Sequence, residues 1–114
     1  MVHFSWYFRY MEEAEHALWR SLGMTIASRD DDYRFPRVSA NCDFKRSIWF
    51  EDEIEVVIRI ATVGNRTVRY TCSILRGGVS VAEGSMTSAC IRVGPGAPTG
   101  AVEIPPRILA KLMG

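Results

Sequence analysis

The chain has no apolar run approaching the roughly 18 residues that a membrane-spanning helix needs, and its N-terminus lacks a basic stretch followed by an uninterrupted apolar one. Membrane spanning and secretion are therefore disfavoured. Cysteine is scarce: Cys42, Cys72 and Cys90 are three in number, without CxxC spacing, and each lies among strand-like apolar residues. That points to reduced, buried thiols in a cytoplasmic protein rather than a disulfide framework or a metal site. Charge of one sign is lacking too. Fourteen Lys and Arg against 13 Asp and Glu leave a net charge of +1, which supplies no broad field for nucleic acid or an anionic membrane. GxGxxG and GxxxxGKS are missing, which removes nucleotide binding by those routes. GxSxG is missing as well, so a serine triad drawn from Ser5, His3 or His16, and Asp43 has no nucleophile elbow to support it.

What is present fits one domain over residues 1–114, since 114 residues at 47% hydrophobic content can bury a single core but not two. Residues 1–23 read as one long amphipathic helix that crosses the domain as a central element. Phe4, Tyr7, Phe8, Met11, Ala14, Leu18 and Leu22 recur at spacings of three and four, while Arg9, Glu12, Glu13, His16 and Arg20 fall largely opposite. Ser5 can accept a hydrogen bond from an unpaired N–H of the first turn, and Gly23 provides a left-handed stop. Arg29, Asp30, Asp31 and Asp32 then read as a solvated loop. Calcium loops space their oxygens at alternate positions around a glycine turn, and this run does not.

Strand character follows over Phe35–Phe44, Glu53–Val63, Thr67–Leu75 and Val79–Val93, all rich in Val, Ile, Thr and aromatics. Gly64-Asn65 and Gly77-Gly78 are residues that tolerate positive φ in tight hairpins, which makes the last three strands a meander. Alternation places Ile54, Val56, Ile58 and Ile60 on a buried face, with Glu53, Glu55 and Arg59 on the other. Gly84, inside the last strand, predicts a bulge or bend. Ile104-Pro105-Pro106 leads into a short helix at Arg107–Met113. The expected class is α+β: a helix followed by an antiparallel sheet that wraps it.

These residues resemble the 4-hydroxybenzoyl-CoA thioesterase-like branch of the hot-dog-fold acyl-CoA thioesterases. The carriers are Val2-His3-Phe4-Ser5-Trp6-Tyr7-Phe8-Arg9-Tyr10-Met11-Glu12-Glu13-Ala14 at the helix start, Phe50-Glu51-Asp52-Glu53-Ile54-Glu55-Val56 leading into a strand, and Ile104-Pro105 before the last helix. The resemblance implies a hot-dog fold, hydrolysis of a thioester to free acid and CoA without metal or cofactor, coenzyme A being part of the substrate, and assembly as a homodimer or homotetramer with pockets between subunits. In that family a first strand and an Asp-x-x-Gly loop precede the helix, and the loop aspartate attacks the thioester or acts as its base. This chain is read as lacking both, the first strand absent and the catalytic aspartate lying upstream of Met1: the matching glycine would stand immediately before Met1 and the aspartate three residues before that glycine. The alternative is a non-catalytic acyl-binding or scaffold protein of the same fold. A hot-dog dehydratase would need an HFPG-like turn, which the chain lacks.

Thioester chemistry needs a group that polarises the carbonyl, and unpaired N–H groups at a helix start, with about half a positive charge between them, suit that role. By the resemblance, the Phe4 backbone N–H takes the carbonyl-contacting position, with Ser5, Trp6 and Tyr7 lining the substrate site. Phe4 and Trp6 also read as an aromatic plug at the end of the core. His3 is the candidate base beside that position, or a pocket wall. Glu12 is the candidate carboxylate on the helix, roughly 10 Å along at about 1.5 Å per residue, with pairing to His16 at i, i+4 as its ordinary role. Asp43, in a strand, and Asp52, at a strand-entry turn, are alternatives of the same quality. Lys45 and Arg46 are the best pair for CoA phosphates, ahead of Arg37 and Arg66, and Trp49 and Phe50 can cap an acyl group or pack at a subunit contact.

Overall fold

A computed structural model describes residues 5–25, 32–46, 48–49 and 52–114. The elements are α1 (Ser5–Ser21), β1 (Tyr33–Arg34), β2 (Arg37–Phe44), β3 (Glu55–Val63), β4 (Thr67–Arg76), β5 (Val79–Ala89), β6 (Ile91–Arg92) and α2 (Pro106–Met113). Helix α1 runs 17 residues to Ser21, just short of the Leu22–Gly23 end of the 1–23 reading, whose positions 1–4 lie outside the described residues. Its C-terminal signal acts as expected. Gly23 has φ +76°, and the N–H groups of Gly23 and Met24 donate to the carbonyls of Arg20 and Trp19 at 3.0 and 2.9 Å, which satisfies two carbonyls the helix leaves free.

The main sheet is antiparallel, in the order β2-β5-β4-β3. β4 shows why: its residues alternate exposed and buried from Thr67 to Cys72, so Val68, Tyr70, Cys72 and Ile74 face the helix side while Arg69 and Thr71 face outward. β3, at an edge, keeps the predicted parity, with Ile54, Val56, Ile58 and Ile60 only half-buried and Glu53, Glu55 and Arg59 exposed. One predicted strand is divided and one is shortened. Cys90 separates β5 from β6 within Val79–Val93, while the strand expected from Phe35 begins at Arg37, after Pro36, which lacks an N–H for the ladder and stands between it and the short β1. The short pieces β1 and β6 pair with each other, Tyr33 opposite Arg92, a contact with no local signal.

The glycines divide as well. Gly77 and Gly78, at φ +58° and +80°, form the two-residue hairpin between β4 and β5 that demands positive φ at both positions. Gly64-Asn65 does not use this freedom: no non-glycine residue among those described has positive φ, and Gly64 does not either. That turn closes by the Gly64 N–H donating to the Thr67 carbonyl at 2.8 Å. Gly84 carries no bulge. The register runs through it, Cys42 and Cys72 both opposite Gly84, and the bulges fall at Arg37/Ser39, Ile60/Thr62 and Ile74/Leu75. Its reason is closeness: a Cβ there would overlap the Asn41 carbonyl oxygen and come within 2.9 Å of Met11 Cε. α1 lies so near the sheet that only hydrogen fits.

The core has two parts. The larger holds Met11, Trp19, Phe35, Val68, Tyr70, Cys72, Met86, Cys90, Ile104, Ile108 and Leu112, gathering the second half of α1, the middle of the sheet and α2. The smaller holds Tyr7, Ile48, Ile74, Val81 and Ala82, under the first half of α1. Cys42 touches both. α2 is held through its approach, where the N–H of Val102 donates to the Cys90 carbonyl and that of Ile104 to the Asn65 carbonyl, each at 2.8 Å. All three cysteines are free, Cys72 and Cys90 buried and Cys42 half-buried, and among the described residues no helix is long and apolar enough to cross a membrane.

Candidate active site

Aromatic side chains concentrate where α1 begins. Trp6 is 36% exposed, with the Arg9 guanidinium 4.9 Å from its ring centroid and Tyr10 at 6.4 Å. Tyr7, one residue on and therefore about 100° round the helix, is buried and meets Phe44 at the end of β2, ring centroids 4.5 Å apart. Burial pushes the Tyr7 hydroxyl above the ordinary phenol range, and the backbone of Ile48 pulls it back in part. Phe44 is half exposed, so Tyr7 and Phe44 form a wall with one wet edge.

The chain leaving β2 is pinned to that wall. The N–H groups of Lys45 and Arg46 both donate to the Val81 carbonyl, at 2.9 and 3.1 Å, and Ile48 inserts into the smaller core at 1% exposure. Trp49 next to it stays 58% exposed. Asp52 fixes this presentation: its Oδ2 accepts the Trp49 N–H at 2.8 Å and an Arg76 Nη1 hydrogen at 3.0 Å. Those donors hold its carboxyl below the ordinary carboxylate range, the Trp49 N–H contributing most. Trp6, Phe44 and Trp49 thus leave apolar surface open at one end of the sheet, a place for an apolar ligand.

The remaining candidates scatter. His3 and Phe4 lie outside the described residues, as do the Ser5 side chain, positions 29–31 of the acidic loop, and Phe50. Glu12 is exposed and pairs with Arg37 Nη1 at 3.6 Å, not with His16. Asp43 stands opposite Glu83 in the register, on the face turned away from α1. Lys45 turns to that outer face too, its Nζ 3.4 Å from Glu83, while Arg46 is exposed beside it. Among the described residues no three His, Cys, Asp or Glu side chains are grouped to hold a metal ion.

One set of polar residues escaped the sequence reading. Glu15 is 2% exposed, in the line Tyr7–Met11–Glu15–Trp19 that forms the true core stripe of α1. Its Oε2 accepts from Ser88 Oγ at 2.8 Å, and its Oε1 from Arg37 Nη2 at 3.1 Å. One turn further on, Trp19 Nε1 donates to the Tyr70 hydroxyl at 2.7 Å. The strict four-residue spacing was the available signal, but a carboxylate inside it reads as a break in the stripe rather than as part of it.

The model of the thioesterase superfamily matches residues 1–83, which takes in α1, the loop that presents Trp49, and most of the sheet. The chain belongs to the thioesterase superfamily. Among solved structures, a hypothetical protein from Aquifex aeolicus superposes with TM-score 0.88 at 26% identity, covering 98% of this chain and 86% of that one. One from Thermus thermophilus gives 0.87 at 28% identity, over 98% and 84%. A 1,4-dihydroxy-2-naphthoyl-CoA thioesterase from Synechocystis gives 0.86 at 16% identity, over 98% and 82%, a likeness of fold. The fold is the hot-dog thioesterase fold with its antiparallel sheet, and membership of the thioesterase superfamily supports hydrolysis of thioesters as the class of reaction.

Proposed function

We propose that this thioesterase-superfamily chain is a cytoplasmic acyl-CoA thioesterase. The observation that carries the reading is the open aromatic end of α1, formed by Trp6, the Tyr7–Phe44 wall and Trp49, on a chain of that superfamily. In the proposed reaction the acyl group lies against these rings and its carbonyl oxygen meets the N–H groups at the helix start, with Phe4 supplying the closest. Water adds to the carbonyl carbon, losing its proton to a base for which His3 is the candidate. The tetrahedral oxyanion is held by the helix N–H groups. It collapses by breaking the C–S bond, and the thiolate takes a proton to leave as CoA, with the acid as co-product. Arg46 is the basic side chain best disposed for CoA phosphates, because Lys45 is drawn to Glu83. No cofactor is proposed.

The assembly proposed is a homodimer or homotetramer. β2 and β3 are both sheet edges with unpaired ladder groups along one side, and β2 adds exposed Val38 and Phe44. A second copy would complete the pocket whose one wall is Tyr7 and Phe44.

One observation favours the acyl-binding alternative. Glu12 and Asp52 are each held by an arginine, Glu15 is sealed in the core, and Asp43 faces away from α1, so none of these four carboxylates stands free at the helix start. Thiol release from a panel of acyl-CoAs, measured beside calorimetric binding of a non-hydrolysable thioether analogue, separates the two. Release of thiol supports the enzyme. Binding without release supports the acyl-binding protein, and neither removes both.

A further inference from the structure

The polar network under the second half of α1 is unused by the chemistry just described, and a soluble domain seldom buries a carboxylate without reason. Glu15 joins α1 to β5 through Ser88 and to β2 through Arg37, and Trp19 joins it to β4 through Tyr70. Three of the four strands of the main sheet are therefore tied to one helical turn by directional bonds. The first half of α1 is tied less directly: its Tyr7 hydroxyl meets the backbone of Ile48, in the loop after β2 rather than in the sheet, and its Glu12 shares Arg37 with Glu15. It rests on Met11 over Gly84 and on Tyr7 among Ile48, Ile74, Val81 and Ala82, contacts that resist separation but allow sliding and rolling.

We propose that Glu15, with Arg37 and Ser88, is a positioning residue that sets the rotation and tilt of α1 on the sheet, and so the place of the N–H groups at its start. The idea rests on the thioesterase reading for its catalytic consequence, though not for its structural one. The lever is long: ten residues separate Glu15 from Ser5, about 15 Å at 1.5 Å per residue. A tilt of about 4° at Glu15 then moves the helix start by about 1 Å. A displacement of that size at a reacting centre costs on the order of 100-fold in rate. Arg37 suits the role because its guanidinium reaches Glu12 as well as Glu15, gripping two successive turns of the same helix.

The test compares three forms of the full chain. Glu15→Gln keeps the length: its Oε1 can accept from Arg37 and its amide N–H can donate to the Ser88 hydroxyl, which takes either role, while Arg37 retains Glu12. Its kcat and KM should stay within about threefold of the parent, as a positioning role requires. Glu15→Leu combined with Arg37→Met and Ser88→Ala removes the network without stranding a buried charge, a replacement that leaves many proteins as stable as before. For it we expect kcat to fall by about 10- to 100-fold, KM to change less than threefold, and hydrogen exchange of the Tyr7–Arg9 amides to accelerate. Should the triple variant fail to fold, Ser88→Ala alone removes one of the two bonds while Arg37 keeps the Glu15 carboxylate paired, and gives the same comparison with a smaller expected fall. The proposal is overturned if exchange at the helix start is unchanged in the network-free variant, or if Glu15→Gln loses as much activity as that variant, which would assign the effect to charge. Hydrogen exchange needs no substrate. A parent inactive on every acyl-CoA would remove the thioesterase reading alone.

Discussion

The two ends of α1 are built on different principles. Around Trp19 the helix is sunk in the larger core and tied by polar bonds, with Glu15 and Trp19 at 2% and 1% exposure. Around Trp6 the smaller core lies under one face, and large aromatic surface remains wet on the other. The difference teaches that buried anchoring and open aromatic surface are separated along a single helix: one end anchors, the other presents. The contrast can be broken by substitutions that read stability and ligand response separately.

The largest effect is expected at the anchor. Trp19→Ala empties the centre of the larger core and leaves Tyr70 without its indole donor, and losses for Trp→Ala in cores run about 3–5 kcal/mol. With total stability of about 5–15 kcal/mol in such domains, this variant should lie near the edge of folding in a urea titration. Ile48→Ala, fully buried at the other end, should cost about 2 kcal/mol, at the low end for an isoleucine, because the loop that carries it can settle inward. If the order were reversed, the anchor would have been placed at the wrong end.

Next comes the point where the two halves meet. Gly84→Ala puts a methyl group against the Asn41 carbonyl and the Met11 thioether, and overpacking of this kind costs about 1–3 kcal/mol. Met11 can move its terminal methyl, but the Asn41 carbonyl belongs to the β2 ladder. Adding Met11→Ala should therefore fail to restore the urea midpoint. Full recovery would mean that only the helix, not β2, resists the added carbon.

The sequence made the presenting end more legible than the anchoring one. Alternation in β3, Gly77-Gly78 and the Gly23 stop are local signals, and each appears in the structure because its cause lies within a few residues. The partners of Glu15 sit 22 and 73 residues away, so beyond its four-residue spacing from Met11 and Trp19 nothing near Glu15 distinguishes it from its exposed neighbours Glu12 and Glu13. The turn at Gly64-Asn65 was misread for a related reason: these residue types permit positive φ without requiring it. Gly84 was read as a bulge or bend because a missing side chain marks a bulge, a bend and a close approach alike, and the neighbours that decide, Asn41 and Met11, are far away in sequence. At the site, the aromatic character of the helix start was plain, whereas the fates of Glu12, Asp43 and Lys45 depended on strand faces and cross-chain ions.

A smaller effect on stability, but a larger one on ligand response, is expected at the presenting end. Trp49→Ala removes a side chain that is 58% exposed, so the urea midpoint should hardly move. If the ring contacts the acyl group, KM or the analogue dissociation constant should rise about tenfold, the equivalent of roughly 1.4 kcal/mol. An unchanged constant would take Trp49 out of the proposed pocket and leave Trp6 and the Tyr7–Phe44 wall as its lining.

The smallest effect concerns the loop that holds Trp49 out. Asp52 has its carboxyl held below the ordinary range by the Trp49 N–H and Arg76. A carboxylate whose folded value is depressed contributes stability that is present above its unfolded value, near 3.9, and is lost as pH falls through the lower folded one. Asp52→Asn keeps an oxygen for the Trp49 N–H but removes the charge facing Arg76. The parent should accordingly be slightly more stable at pH 6, with the gap closing between about pH 4 and pH 2. Added salt at pH 6 should narrow the gap as well, since the Arg76–Asp52 pair is partly exposed and exposed ion pairs are screened. A gap that persisted at pH 2 would mean that the loop depends on the shape of the Asp52 side chain rather than on its charge. The presenting end would then share with the anchor a dependence on fixed hydrogen-bond geometry, and the division along α1 would rest on burial alone.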